Sequence, residues 1–377
     1  MSSTGEKIKK LRTSIGLSQE MCIRDRDNQV QLLNASTGEV EKAAALAAPN
    51  GYYAYLAYGE GKLFVPLGDG RVQVFSASTL ESLFLTEGVS GMQALSTITY
   101  RDGVFYTGFT NGSSGSRLKG YFAAFSAADT DGRRSDEEVA PLWTYGVDGP
   151  GYYGAGAAMV GDFIVFAGDD GVLVSADAKT GAVKGTLDLG GGVRSAIVQS
   201  GGALYCATKD GQLCRVTLSE GGVPTHSAKA ALPAGTNASP AVAEGKVFVA
   251  GGTFADGYLA VFDSATLAPV TQLALAAAGN TPTLTVDGEE VSAWFTQNAN
   301  PGALYRATLK DGQLTLATVY TPQEGSQNYC LSNVVIDEAS GVAYYGNDSG
   351  ALFAVKALVA AGTEEPDPCL LYTSRCV

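Results

Sequence analysis

The chain has 377 residues, with 25 Lys and Arg against 38 Asp and Glu and a net charge of −13. So acidic a surface repels phosphate backbones, which makes nucleic acid a poor partner. No apolar run has the length of a membrane-spanning helix, and 48 glycines argue against stacked helix pairs.

Residues 1–20 place Ile8, Leu11 and Ile15 on one helical face, and Leu17 to Glu20 read as the cap of a second helix. This resembles the start of a phage-repressor helix-turn-helix, but no recognition helix follows. Instead comes Met21-Cys22-Ile23-Arg24-Asp25-Arg26, one reading frame of the mosaic end of a sequencing-library transposon. The reverse complement of that element encodes Cys369-Leu370-Leu371-Tyr372-Thr373-Ser374. Segments 1–26 and 369–377 are therefore read as assembly artefacts and kept out of fold reasoning. DNA binding is not expected.

From residue 27 onward the chain repeats itself. The stretch Gly151 to Leu189 contains four short apolar runs, each closed by Gly, Asp or Thr-Gly. Such runs read as strands joined by tight turns. A glycine opens each copy, at Gly51, Gly91, Gly151, Gly192, Gly235 and Gly279, with Gln327 in the equivalent place. A second turn recurs at Asp69-Gly70, Lys119-Gly120, Asp170-Gly171, Asp210-Gly211, Asp256-Gly257, Pro301-Gly302 and Ser349-Gly350. Four strands in a unit of roughly 40–45 residues predict an all-β fold, a seven- or eight-bladed β-propeller of four-stranded antiparallel blades.

Gly171 to Gly181 and Gln31 to Gly38 carry a Leu-x-Ala-Leu-Asp-Ala-x-Thr-Gly-like signature, and Gly257 to Thr266 carry part of it. On these residues the chain resembles the quinoprotein-like, or PQQ-like repeat, propellers over about 27–358. That family includes a bacterial outer-membrane assembly propeller lipoprotein. Its closing Trp, which locks neighbouring blades, is mostly missing: Gly185 stands there in the central copy, and Trp143 is the one retained copy.

Three regions follow from this layout: 1–26, a helix-turn-helix fragment with an adapter-like segment; 27–358, the propeller; and 359–377, a linker with an artefactual tail. Residues 27–46 hold two strands, and Glu39 to Leu46 are expected to complete the last blade. A lost upstream blade is an equal alternative. Residues 111–116 and 129–138 read as polar loops on a blade edge. The second is a poor calcium loop, since Arg133 stands at a ligand position. Cys206 and Cys214 flank Lys209-Asp210-Gly211 and are expected opposite each other, as free thiols or as a cross-strand disulfide.

The usual catalytic arrangements are missing. His226, read in a loop beside Pro224, is the one histidine, which excludes a His₂ or His₃ metal site. No nucleophile elbow or phosphate loop occurs. Quinone dehydrogenases of the resembling family use a vicinal Cys pair, a calcium held by Glu and Asn, and a catalytic Asp; no Cys-Cys is present. No cofactor and no metal are expected.

One constellation remains. Residues just after each opening glycine should enter the innermost strands and ring one mouth of the central channel. They are Tyr52, Tyr53, Gln93, Tyr152, Tyr153, Arg194, Asn237, Asn280, Asn328 and Tyr329. An aromatic, hydrogen-bonding rim suits a peptide, glycan or small polar ligand; the alternative is that these side chains merely plug the channel. The expectation is a monomeric, non-enzymatic binding or scaffold propeller of a bacterial cell-envelope or secreted protein, with a protein or cell-wall glycan as partner. The rival is a quinone-dependent dehydrogenase or sugar-processing enzyme with its site in the channel.

Overall fold

A computed structural model describes residues 21–26, 28–49, 55–111, 118–132, 134–330, 332–357 and 369–374. Every regular element among them is a strand, so none of them forms a helix long and apolar enough to cross a membrane. Seven antiparallel sheets carry the four strands of a blade, and the first also has a fifth strand. Their innermost strands begin at Ala57, Thr99, Ala158, Val198, Ala241, Thr283 and Val335. An eighth sheet has three strands, Met21–Arg26, Gln29–Asn34 and Val40–Ala45.

The sheets close into a ring because each is apolar on both faces. Phe64 and Phe84 of the first blade pack on Phe105 and Phe125 of the second. Phe122 of the second stacks on Phe166 of the third, with ring centroids 4.0 Å apart. The next seams join the third blade to the fourth, the fourth to the fifth, the fifth to the sixth and the sixth to the seventh. The three-stranded sheet lies between the two ends. Val30 and Leu32 meet the first blade, and Ala35 meets Val342, Tyr344 and Ala354 of the seventh. A four-stranded sheet alone buries too little surface to persist, so each blade depends on its neighbours.

Two expectations are corrected here. Val40–Ala45 does not complete the last blade; it pairs with Gln29–Asn34. The cause is local. Asn34 Oδ1 accepts the N–H groups of Ser36 and Thr37 at 2.9 and 3.1 Å, and Gly38 takes φ 75°, so the chain turns straight back on itself. The outer strand of the seventh blade is Cys369–Ser374. His226 lies in strand Pro224–Ala231 rather than in a loop, with Nε2 2.8 Å from the Asp188 carbonyl.

Part of the acidic insertion is also a strand. Glu138–Val139 pairs parallel with Leu85 and Thr86, extending the first blade outward. Leu85 N–H donates to Glu137 O and Glu87 N–H to Val139 O, both at 2.9 Å. An otherwise open sheet edge is thereby covered.

The Asp-Ala-x-Thr-Gly signature is a turn between third and fourth strands. Asp177 Oδ1 accepts from Lys179 N, Thr180 N and Thr180 Oγ1, and Asp263 Oδ1 does the same for Ala265 and Thr266. These bonds, that of the Thr hydroxyl foremost, hold both carboxyls below the usual carboxylate range. A depressed carboxylate adds stability that is present above its unfolded pKa of about 3.9 and is lost as pH falls through the folded value. We therefore expect unfolding free energy to decline below about pH 4. The Asp177→Asn/Asp263→Asn chain should show a flatter decline, read as urea midpoint against pH. An unchanged slope would remove these turns from the acid response.

Candidate functional site

Successive blades are joined by crossing segments that run from an outer strand to the next inner strand. Each passes between the turns that join the second and third strands of two neighbouring blades. Lys209 N–H donates to Gly192 O, Asp169 N–H to Gly151 O and Asp348 N–H to Tyr329 O, each at 2.9 Å. Val193 N–H donates backward to Gly168 O at 2.8 Å. Space there is tight. A Cβ on Gly192 would stand 2.7 Å from both Asp169 O and Lys209 Cε, and one on Gly151 2.7 Å from Leu118 Cβ. This explains the recurring opening glycine. Gly91 differs: its surroundings are open, and a φ of 80° sets the requirement.

Nearer the axis the segments bond side to side. Thr97, Gly156 and Ala196 form consecutive parallel bridges. Ala196 N–H donates to Ser239 Oγ, and Ser239 N–H to Thr281 Oγ1, both at 2.8 Å. Ser239 was not among the candidates; only its register distinguishes it from other hydroxyl residues.

Counting from the glycines does not align the candidates. Gly279 stands four residues before its strand at Thr283, whereas Gly91 stands eight before Thr99. Tyr52 and Tyr53 lie outside the described residues. Tyr152 is a correction: it is 2% exposed in the seam between second and third blades, edge-on to Phe122 and Phe166. Burial pushes its phenol well above the ordinary range. Asn280 is committed inward, its amide donating to Thr296 Oγ1 at 2.7 Å and Cys330 O at 3.1 Å. Gln93 pairs through its backbone with Thr110, and its side chain is half-buried. Asn237 and Tyr329 are exposed, and Asn328 Oδ1 accepts from Tyr329 N–H at 2.9 Å.

Tyr153 and Arg194 do come together. The Arg194 guanidinium lies 4.9 Å from the Tyr153 ring centroid, and its Nε–H donates to Asp169 Oδ1 at 2.8 Å. Lys209 Nζ reaches the same oxygen at 3.2 Å. The Asp169 side chain is only 10% exposed, and its Oδ2 is buried without a hydrogen-bond partner among the described residues. Asp169 thus anchors two cations through one oxygen, while the Tyr153 ring face supports the Arg194 guanidinium. Arg194 Nη1 and Nη2 make no hydrogen bond among the described residues, and its side chain is partly exposed. Asp170 stands beside the cluster, raised above the usual carboxylate range by burial and by its neighbours Asp169 and Asp188. The equivalent turn of the fifth blade presents Phe254, 75% exposed, held by Thr253 Oγ1 accepting from Ala255 and Asp256 N–H.

A family model described as outer membrane protein assembly factor BamB matches residues 129–282. Over that stretch the repeat is similar to that of the PQQ-like propellers. No curated protein matches the chain. Among solved structures, BamB from Moraxella catarrhalis is similar at TM-score 0.58 and 12% identity, covering 89% of this chain and 91% of its own. A quinohemoprotein alcohol dehydrogenase, ADHIIG from Pseudomonas putida HK5, is similar at 0.59 and 11%, covering 91% and 69%. Sqt1 from Saccharomyces cerevisiae is similar at 0.62 and 12%, covering 87% and 91%. Identities this low speak for the fold alone.

Among the described residues no three His, Cys, Asp or Glu side chains converge as a metal site. The described cysteines sit apart in sequence, with Cys206 and Cys214 in one seam and Cys330 in another. These residues do not fit a calcium-quinone group.

Proposed function

We propose that this chain is a non-enzymatic binding propeller of a bacterial cell-envelope or secreted protein, holding a protein or a cell-wall glycan at the channel mouth. One observation carries the reading: Arg194 is fixed by Asp169 and Tyr153, with its terminal N–H groups uncommitted among the described residues. A donor fork held this way loses little freedom on meeting a ligand. Exposed Asn237 and Phe254 sit on adjoining segments and add an amide and an aromatic contact. The similarity to an assembly factor and the exposed aromatic both favour a polypeptide partner.

The test uses two probes on the immobilised full chain: an unfolded outer-membrane barrel polypeptide and soluble peptidoglycan fragments. Binding of the polypeptide that falls about tenfold in Arg194→Ala supports the reading. Fragment binding with the same loss makes the partner a glycan. Equal binding by wild type and variant removes the mouth from the function. Dye-linked oxidation of an alcohol or sugar after addition of the quinone would replace the proposal by the enzymatic one.

A further inference from the structure

Cys206 and Cys214 are register partners on the two central strands of the fourth blade. Both are wholly buried in the seam with the third blade, and both are free thiols. Thr208 N–H donates to Gln212 O at 2.9 Å across the turn between them. Two residues further along the ladder, Cys206 and Cys214 form another hydrogen-bonded pair, with Cα atoms about 5.5 Å apart. Disulfides most often have Cα separations of about 5.5–6 Å. Side chains directly opposite leave the sheet on the same face, so the two thiols are neighbours in the seam. Cys330, by contrast, lies in the seam between sixth and seventh blades with its Sγ on Gly346 O.

We infer that Cys206 and Cys214 are a dithiol site that closes to a cross-strand disulfide by exchange with a small-molecule disulfide such as oxidised glutathione. Cys214 is the attacking sulfur. Its thiol is lowered by the hydrogen bond from Cys206, with Lys229 helping. Cys206 is raised by the same hydrogen bond and then by burial, so it keeps its proton longer. The Cys214 thiolate displaces one glutathione thiolate and forms a mixed disulfide. Cys206 then loses its proton, attacks Cys214 Sγ and releases the second glutathione. Two protein thiols and one glutathione disulfide become one protein disulfide and two glutathione thiols.

Entry is controlled by the crossing segment above the pair. Cys214 Sγ lies 3.7 Å from the Leu189 carbonyl, which Lys229 Nζ also approaches at 3.5 Å. Leu189 leads into Gly190-Gly191-Gly192, so the cover is a glycine segment that must open locally for the oxidant to reach the sulfur. Closing the disulfide takes the Cys214 donor away from Leu189, a few residues ahead of Arg194.

The experiment takes the reduced full chain through glutathione buffers of rising oxidised fraction, followed by alkylation in denaturant and tryptic mapping. Trypsin cuts after Lys209, between the two cysteines, so the disulfide joins two separate peptides. The expected product is a Cys206–Cys214 linked pair about 2 Da lighter than the two thiols, in about tenfold excess over any other pairing. Cys206→Ser is expected to stop at a glutathione adduct on Cys214. The inference is overturned if both thiols alkylate at the most oxidising ratio. It is equally overturned if either prefers another of the six cysteines. Mapping of the wild-type chain decides the matter even where the variant does not fold.

Discussion

Replacing Gly235 by alanine should lower the unfolding free energy by about 3 kcal/mol, at the upper end for overpacking. The added Cβ would overlap the Lys209 carbonyl oxygen and crowd Lys209 C at 2.9 Å. Neither partner can retreat. The Lys209 turn is tied to Gly192 by its own N–H, and Thr236, one residue after Gly235, donates to Thr208 O at 3.4 Å. The comparison that isolates this effect is Gly201→Ala. Gly201 sits at φ 56° with nothing within 4 Å of its missing Cβ, so only left-handed backbone strain of about 1–2 kcal/mol arises there. Urea midpoints of the two variants provide the measurement. If Gly235→Ala is no worse than Gly201→Ala, the close approach of crossing segment and turn does not explain the repeating glycine.

Trp143→Ala should cost about 3–5 kcal/mol, the range for emptying a large aromatic site. Trp143 is the outer-strand residue that docks the second blade on the third. It packs near Tyr106 and Phe122, and its Nε1–H donates to Ala178 O at 3.0 Å. Its ring closes over Gly181, where a Cβ would stand 2.7 Å from Cδ2. Trp143→Phe keeps most of the apolar contact and loses the donor, for a smaller cost of about 1–2 kcal/mol. Denaturant midpoints separate the two variants. The Phe variant also leaves Trp294, in the sixth blade, as the one remaining fluorescent indole. A midpoint for Trp143→Ala within 0.5 kcal/mol of wild type, on the order of a surface substitution, would mean that this seam does not depend on the ring. The fourth blade meets the third differently, with Pro224 Cδ and Val223 Cγ1 filling the space beside Gly185, where the family Trp is missing.

Much of this architecture was legible before any coordinates. Turn chemistry is local: Asp170-Gly171, Asp177 to Gly181 and Asp263 to Thr266 each close by bonds within a few residues. The apolar runs between them have the alternation of strands, and their recurrence demands a ring or a stack because one unit cannot bury itself. The Cys206 and Cys214 register followed from the length of one hairpin loop. Trp143 was recognisable as a docking residue through the resemblance, since the family's closing Trp stands at its place in the repeat.

The candidate site was legible only in part. A rim counted from glycines assumes equal crossing segments, and these vary in length. Sequence spacing along a loop does not set which way a side chain faces; the packing of the two blades beside it does. Tyr152 and Tyr153 are neighbours in the chain and both are buried, yet the first packs on Phe166 and the second on Leu95 and Leu118 beside Arg194. Asp169 carried no signal, because an Asp in an Asp-Gly turn reads as turn chemistry. Local periodicity and turn-forming residues thus determined the strands, the repeat and the propeller class from the sequence alone. Which residues meet at the mouth was decided by tertiary structure, since Asp169, Arg194 and Lys209 are joined across two blades by contacts that no local rule encodes.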